Sequence, residues 1–121
     1  MTGEQKYYDK MWDMYSYTRN VHGEAGMYNP KDCLWWRDQD FDPPYKEPNG
    51  EDCYWSRGNG WVYAALVRVL DEIPTNETHR QDYINDFLAM SKALKKCQRE
   101  DGFWNVSLHD PTNFGGKETS G

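Results

Sequence analysis

The sequence predicts an all-α fold built from helical hairpins, each with an inner and an outer helix, with short β-like aromatic segments between them. Two apolar patterns of helical period, and an aromatic stretch rich in proline and Asn-Gly turns over residues 33–55, indicate this arrangement. The chain has 121 residues and forms one domain at most. Its net charge of −6 argues against nucleic acid or an anionic membrane as a partner. Its aromatic content of 16% favours surfaces that stack on a ligand or on more protein.

A first helix is predicted near the N-terminus, where Thr2 and Gln5 match a capping box. Four residues at helical spacing form one face of it: Tyr8, Met11, Tyr15 and Thr18. After the break "HGEAGMYNP", the runs "CLWWRD" and "CYW" are separated by "DPPYKEPNG". Prolines and Asn-Gly favour turns, so this stretch predicts two short strands or extended pieces around a loop.

A second helix is predicted to begin near Gly60 and to end before Pro74. Five apolar residues fit the helical template: Val62, Ala65, Leu66, Val69 and Ile73. Three more occupy other faces: Tyr63, Val67 and Leu70. A helix that is apolar nearly all round is normally buried on most sides, which makes this the inner helix.

A third helix is predicted after a second capping-box match, Thr78 with Gln81. Its apolar residues follow a single stripe: Tyr83, Phe87, Met90, Leu94 and Cys97. A one-sided helix joined by a short loop to an inner helix forms an inner–outer hairpin, one unit of a helical toroid. "DGFWNVSL" then predicts a short extended segment. One hairpin cannot bury its inner helix, so the chain either oligomerises or, as the sequence favours, is a piece of something larger.

The stretch "CYWSRGNGW" predicts a binding site for an acidic sugar at the start of the second helix. A helix N-terminus carries partial positive charge, and the planar fork of Arg57 can grip a carboxylate through two hydrogen bonds. Trp55 and Trp61 offer flat apolar faces to a sugar ring. Arg37 and Asp38, which follow Trp35 and Trp36, are also placed to face a ligand. The competing interpretation is that the indoles anchor the core and Arg57 pairs with a nearby Asp.

The sequence offers no pattern for a metal or an organic cofactor. Its three histidines have no ligand spacing, and "GNG" lacks the strand-first setting of a dinucleotide site. Three cysteines are an odd number without a CxxC pair, although Cys33 and Cys53 flank one loop and could pair. No run is long and apolar enough to span a bilayer, and "MTGEQKYYDK" lacks the apolar segment of a signal peptide.

Several motifs together resemble the unsaturated glucuronyl and rhamnogalacturonyl hydrolases, glycoside hydrolase families 88 and 105. The resemblance covers nearly the whole chain and rests on "LWWRDQDF", "NGEDCYWSRGNGWVYAALVRVLDEIP", "QREDGFWNVSLHDP" and "KETSG". Trp-x-Arg-Gly-Asn-Gly-Trp, combined with the trailing Glu-Thr-Ser-Gly, is its most specific part. It implies an (α/α)6 barrel, of which residues 1–121 would be a fragment, and this agrees with the inner–outer hairpin.

The resemblance also implies a reaction and a site. Such enzymes act on oligosaccharides left by polysaccharide lyases: an Asp hydrates the C4=C5 double bond of the terminal uronic acid without any cofactor, and the next sugar is released. Trp55, Arg57 and Trp61 match the residues that line the unsaturated uronate subsite. Arg37 stands where many members have a histidine. The catalytic Asp of the family lies upstream of "TGEQKYYDKM", so the resemblance implies that this chain alone is inactive.

Two other functions remain open from the sequence. The same parts could form a non-catalytic carbohydrate-binding module or a helical interaction module. For all of these functions, the incomplete barrel makes self-association of the chain an expectation. If the chain is part of an enzyme, we expect that enzyme in a bacterial cytoplasm or periplasm.

Overall fold

The computed structural model describes residues 5–22 and 26–118, which form three helices and a two-stranded sheet. The helices are α1 (Gln5–Asn20), α2 (Ser56–Glu72) and α3 (Arg80–Cys97). Strand β1 (Tyr28–Asn29) pairs with β2 (Leu34–Trp35) in antiparallel register. None of the described helices has the length and apolar character needed to cross a bilayer.

Helix α1 confirms the predicted first helix and packs its apolar face against α3. The Trp12 ring stacks on His79, with centroids 4.2 Å apart, and meets the Tyr83 ring edge-on at 5.3 Å. The Arg19 guanidinium donates two hydrogen bonds of 2.8 and 2.9 Å to Asp86, and Tyr15 donates a third of 2.6 Å. This partly buried charged cluster fixes the position of α1 on α3. Thr2 of the predicted capping box lies outside the described residues.

The strand pairing differs from the arrangement that the aromatic runs suggested. Leu34–Trp35 is a strand, but it pairs with Tyr28–Asn29 through a short turn in which Cys33 has φ 58°. Residues 53–55 are extended and instead meet the C-terminal segment, in a bridge between Trp55 and Ser107. Cys33 and Cys53, which could have paired by sequence, are both free thiols.

Helices α2 and α3 form the predicted hairpin, with two corrections. Helix α2 begins at Ser56, four residues before the predicted start near Gly60, because "RGNG" is its first turn rather than a turn that precedes it. Helix α3 begins at Arg80, and no side chain caps its His79 N-cap, so the Thr78–Gln81 capping box is wrong. The hairpin is held by Tyr63, whose ring stacks on Phe87 at 4.8 Å.

The burial of the two helices agrees with the sequence, which predicted that a single hairpin cannot bury its inner helix. The stripe on α3 faces inward as expected, with Tyr83 and Met90 buried. On α2 the only apolar side chain that is buried is Leu66, while Trp61 and Val67 are exposed. The apolar faces of α2 are therefore only partly covered by the described part of the chain.

The C-terminal segment confirms the predicted extended piece around "DGFWNVSL". Trp104 and Glu118 exchange two backbone hydrogen bonds of 2.9 and 2.8 Å, and the Trp104 indole donates to the Leu94 carbonyl of α3 at 2.8 Å. Leu108 completes a small apolar cluster with Leu34 and Tyr54. This cluster packs against α3 through Ala93, Leu94 and Cys97, and it holds the loop segments on that helix.

Candidate functional site

The start of α2 is fixed by backbone bonds and by one buried side chain. Ser56 donates its N–H to the Val106 carbonyl at 2.8 Å, so the first turn is tied to the C-terminal segment. Asn59, which is 1% exposed, accepts from the Trp35 N–H at 2.8 Å and donates to the carbonyls of Trp35 and Trp55 at 2.9 Å. An amide carries a donor and an acceptor side by side, so it pairs with a strand edge as another strand would.

Arg57 projects from this first turn into solvent. Its side chain is 53% exposed, and its Nη1 contacts Glu118 Oε1 at 3.3 Å. Of the two sequence-based interpretations, pairing with a nearby Asp is wrong, because the partner is a glutamate 61 residues along the chain. The guanidinium is not enclosed in the core, and it adds a full positive charge where the helix end carries a partial one.

Trp55, the residue before α2, presents a half-buried indole with neighbours at its edge and its face. The Phe114 ring meets it in a T-shaped contact with centroids 4.8 Å apart. The Arg37 guanidinium lies 4.8 Å from the indole centroid and 4.2 Å from the Phe41 ring. This cation–π arrangement links two of the residues that the sequence predicted to bind substrate.

Trp61 lies four residues after Arg57 and is 68% exposed, so it is not a core anchor within the described structure. It lines a groove of about 490 Å³ between α2 and α3 that also involves Trp104 and Lys95. No ring contact joins Trp61 to Trp55 among the described residues. The two indoles therefore do not form one stacked pair; Trp55 lies two residues before Arg57 and Trp61 four residues after it.

Trp36, Arg37 and Asp38 occupy three different environments. The Trp36 ring packs against Tyr54 at 6.3 Å, next to the apolar cluster under the loop. Arg37 Nε lies 3.6 Å from Asp38 Oδ2. Arg37 and Asp38 line an open cavity of about 430 Å³ together with His22, whereas Trp36 does not line it and is only partly exposed.

Buried carboxylates lie behind the site and have structural partners. Glu47 accepts hydrogen bonds of 2.7 Å from Ser107 and Asn113. Burial opposes ionisation of Asp52, but hydrogen bonds from Lys46 and Tyr54 outweigh it and lower the pKa of Asp52. Among the described residues, no three His, Cys, Asp or Glu side chains converge to hold a metal ion.

Sequence reasoning missed three contributors to this site: Asn59, Phe114 and Glu118. Asn59 lies just before the helix start predicted near Gly60, and its side-chain amide bonds the backbone of Trp35 and Trp55 instead. Phe114 and Glu118 reach the site only because residues 104–118 fold back on α2. The resulting surface combines the exposed guanidinium of Arg57 with separate indole faces, which suits a ring-shaped anion.

A family model and several known proteins match this chain. The model of Glycosyl Hydrolase Family 88 matches residues 1–121. An unsaturated 3S-rhamnoglycuronyl hydrolase from Formosa agariphila is 36% identical over 125 residues, which cover 99% of this chain and 32% of that protein. The protein of the same name from an Alteromonas species is 40% identical over 76 residues, 63% of this chain and 18% of that protein. The chain thus spans about a third or less of the length of these relatives.

Solved structures agree with the family match. A glycosyl hydrolase family 88 protein from Bacteroides vulgatus has a TM-score of 0.87 at 34% identity, covering 95% of this chain and 32% of that one. A polysaccharide lyase has a TM-score of 0.89 at 33% identity, covering 98% and 32%. A possible member of family GH105 from Salmonella enterica, 22% identical with a TM-score of 0.62 over 90% and 27%, shares the fold. Since the family model matches all of residues 1–121, this chain belongs to Glycosyl Hydrolase Family 88.

Proposed function

We propose that this chain forms part of the substrate-binding site of an unsaturated uronyl hydrolase, in which its helical hairpin is one inner–outer unit of an (α/α)6 barrel. The curated relatives named above as unsaturated 3S-rhamnoglycuronyl hydrolases support this reaction class. The observation that carries the proposal is the exposed guanidinium of Arg57 on the first turn of α2, with Trp55 two residues before it and the exposed Trp61 four residues after it.

The proposed ligand is the terminal unsaturated uronic acid of an oligosaccharide. Its carboxylate would meet Arg57 and the partial positive charge of the helix end, and both interactions favour an anion. The C–H face of the sugar ring would stack on Trp55 or Trp61. An exposed guanidinium is shared with water, so the indoles are needed to shield the ion pair and to orient the ring.

In this reaction class the chemical change takes place at C4 and C5, and C5 carries the carboxylate. A group that holds the carboxylate therefore also orients the reacting atoms. The C4=C5 double bond is part of an enol ether, so protonation at C4 creates positive charge shared between C5 and the ring oxygen. Water then adds at C5, the hemiketal opens, and the next sugar is released. The resemblance assigns the proton transfers to an aspartate upstream of α1, and we assign to this chain only the binding and orientation of the anionic sugar.

The remaining predicted residues keep a smaller part in the proposal. Arg37 stacks on Trp55 and Asp38 faces the adjoining cavity, so either can contact a second sugar. Trp36 packs behind the surface and would act by supporting it. Substrate contact by Trp36, Arg37 and Asp38 stays a prediction.

Titration calorimetry with an unsaturated uronyl disaccharide, and with its neutral methyl ester, tests the proposal. We expect the 121-residue chain to bind the acid in preference to the ester, and Arg57→Ala to weaken acid binding by about tenfold or more, since a charge-assisted hydrogen bond contributes roughly 1.5–3 kcal/mol. Arg68→Ala is the matched control, because Arg68 is an exposed arginine of the same helix. Equal binding of acid and ester by the unsubstituted chain would contradict the proposed function.

A further inference from the structure

A carboxylate from the other end of the chain touches the cation of the proposed uronate subsite. Glu118 Oε1 lies 3.3 Å from Arg57 Nη1. The Glu118 side chain is 19% exposed, whereas that of Arg57 is 53% exposed. The glutamate is thus the sheltered member of the pair and the guanidinium is the open one.

The backbone of Glu118 is anchored rather than free to move with its side chain. Its N–H donates to the Trp104 carbonyl at 2.8 Å, and its carbonyl accepts from the Trp104 N–H at 2.9 Å. The Trp104 indole in turn donates to the Leu94 carbonyl of α3 at 2.8 Å. Glu118 is therefore held in a fixed place relative to α3, and through the hairpin relative to Arg57.

The contact leaves most of the guanidinium available. Arginine carries five N–H donors in a planar fork, and a carboxylate that neutralised it fully would take two parallel bonds. Here a single contact reaches one amino group. Within residues 5–22 and 26–118, Nε and Nη2 of Arg57 have no hydrogen-bond partner, so no described residue covers the edge that they form.

We propose that Glu118 is a positioning residue of the uronate subsite: it holds Arg57 by Nη1 so that the Nε–Nη2 edge is turned toward the carboxylate of the sugar. The inference rests on the proposed function and deepens it. Arginine loses much rotamer freedom when it binds, and a partner that restricts the side chain beforehand reduces that loss. The negative charge of Glu118 repels the carboxylate of the sugar. We expect the gain from a fixed Arg57 side chain to exceed this repulsion, because Glu118 does not cover the Nε–Nη2 edge that binds the sugar.

Three variants of the 121-residue chain test this role with the acid and methyl-ester disaccharides. We expect Glu118→Ala to weaken acid binding by about tenfold, because a loosely held side chain no longer presents its fork, and to leave ester binding unchanged. Glu118→Gln keeps an acceptor oxygen for Arg57, so its affinity for the acid should stay within about twofold of the unsubstituted chain. Glu100→Ala, which removes an exposed carboxylate of the neighbouring loop, is the charge control.

The outcomes separate this inference from its foundation. If the acid is preferred and Arg57→Ala removes the preference, while Glu118→Ala binds the acid as well as or better than the unsubstituted chain, then positioning by Glu118 is refuted and the proposed function survives. Equal weakening of acid and ester by Glu118→Ala would show a merely structural role, and thermal unfolding of each variant would confirm it. If the unsubstituted chain shows no preference for the acid, the proposed function itself fails.

Discussion

The side-chain amide of Asn59 takes the place that another strand would occupy beside Trp35. The N–H and C=O of Trp35 point away from β1, and both are bonded by Asn59 at 2.8 and 2.9 Å. The same amide also bonds the Trp55 carbonyl, which couples the small sheet to the residue that precedes α2. One buried polar residue thus connects the architecture of the loop to the placement of the proposed site.

Asn59→Ala should lower the free energy of unfolding by about 2–3 kcal/mol, because it leaves two buried backbone groups of Trp35 unpaired at roughly 1–3 kcal/mol each, offset in part by the better helix propensity of alanine. Urea unfolding followed by circular dichroism measures the change. Asn76→Ala, in the exposed loop between α2 and α3, is the control and should change stability by no more than about 0.5 kcal/mol. A loss at Asn59 as small as that at Asn76 would show that the amide pairing contributes little.

At the residue scale, the sequence predicted the position of Arg57 but not its partner. Its place between two tryptophans and at a helix start follows from local spacing, and the structure leaves its side chain 53% exposed. Glu118 is 61 residues away, and the contact exists because the Trp104–Glu118 bridge brings the segment back. No local pattern encodes such a bridge, because its two partners are 14 residues apart and belong to no regular element.

At the element scale, α2 shows how far a periodic pattern can be trusted. The apolar template predicted the helix body and its end before Pro74, because side-chain spacing and the missing proline N–H act locally. Its start was misplaced because Gly58 and Gly60 suggest a turn, whereas both adopt the conformation of the first helical turn. The pattern also predicted burial on most sides, which depends on neighbours that the described residues do not supply.

Two adjacent positions in the middle of α2 test this uneven burial. Leu66 is 2% exposed and Val67 is 41% exposed. Leu66→Ala should cost about 2–5 kcal/mol of unfolding free energy through lost contacts and a cavity, while Val67→Ala should cost about 0.5 kcal/mol or less. Chemical denaturation of the two variants gives the comparison, and equal losses would mean that Val67 is covered in solution.

At the scale of the whole molecule, two apolar grooves run along α2. One of about 340 Å³ lies against α1 and is lined by Met11, Val62 and Ala65. The other, of about 490 Å³, lies against α3 and contains Trp61 and Ala64. Grooves of this kind on both sides of one helix are typical of a surface that meets more protein, as expected for one unit of a larger barrel.

The exposed faces of α2 predict that the 121-residue chain self-associates. Burial of this apolar surface against a second copy would be favourable at about 25 cal/mol per Å², so the sedimentation coefficient should rise with protein concentration. Ala65→Glu places a charge in the groove beside α1 and should weaken association by tenfold or more, on the order of the 1.4 kcal/mol that a tenfold change requires.

Leu88→Glu is the control, because Leu88 is an exposed apolar residue of α3 that lies outside both α2 grooves. If Leu88→Glu weakens association as much as Ala65→Glu does, copies meet through general hydrophobic contact; if the unsubstituted chain stays monomeric at all concentrations, the faces of α2 are not an association surface.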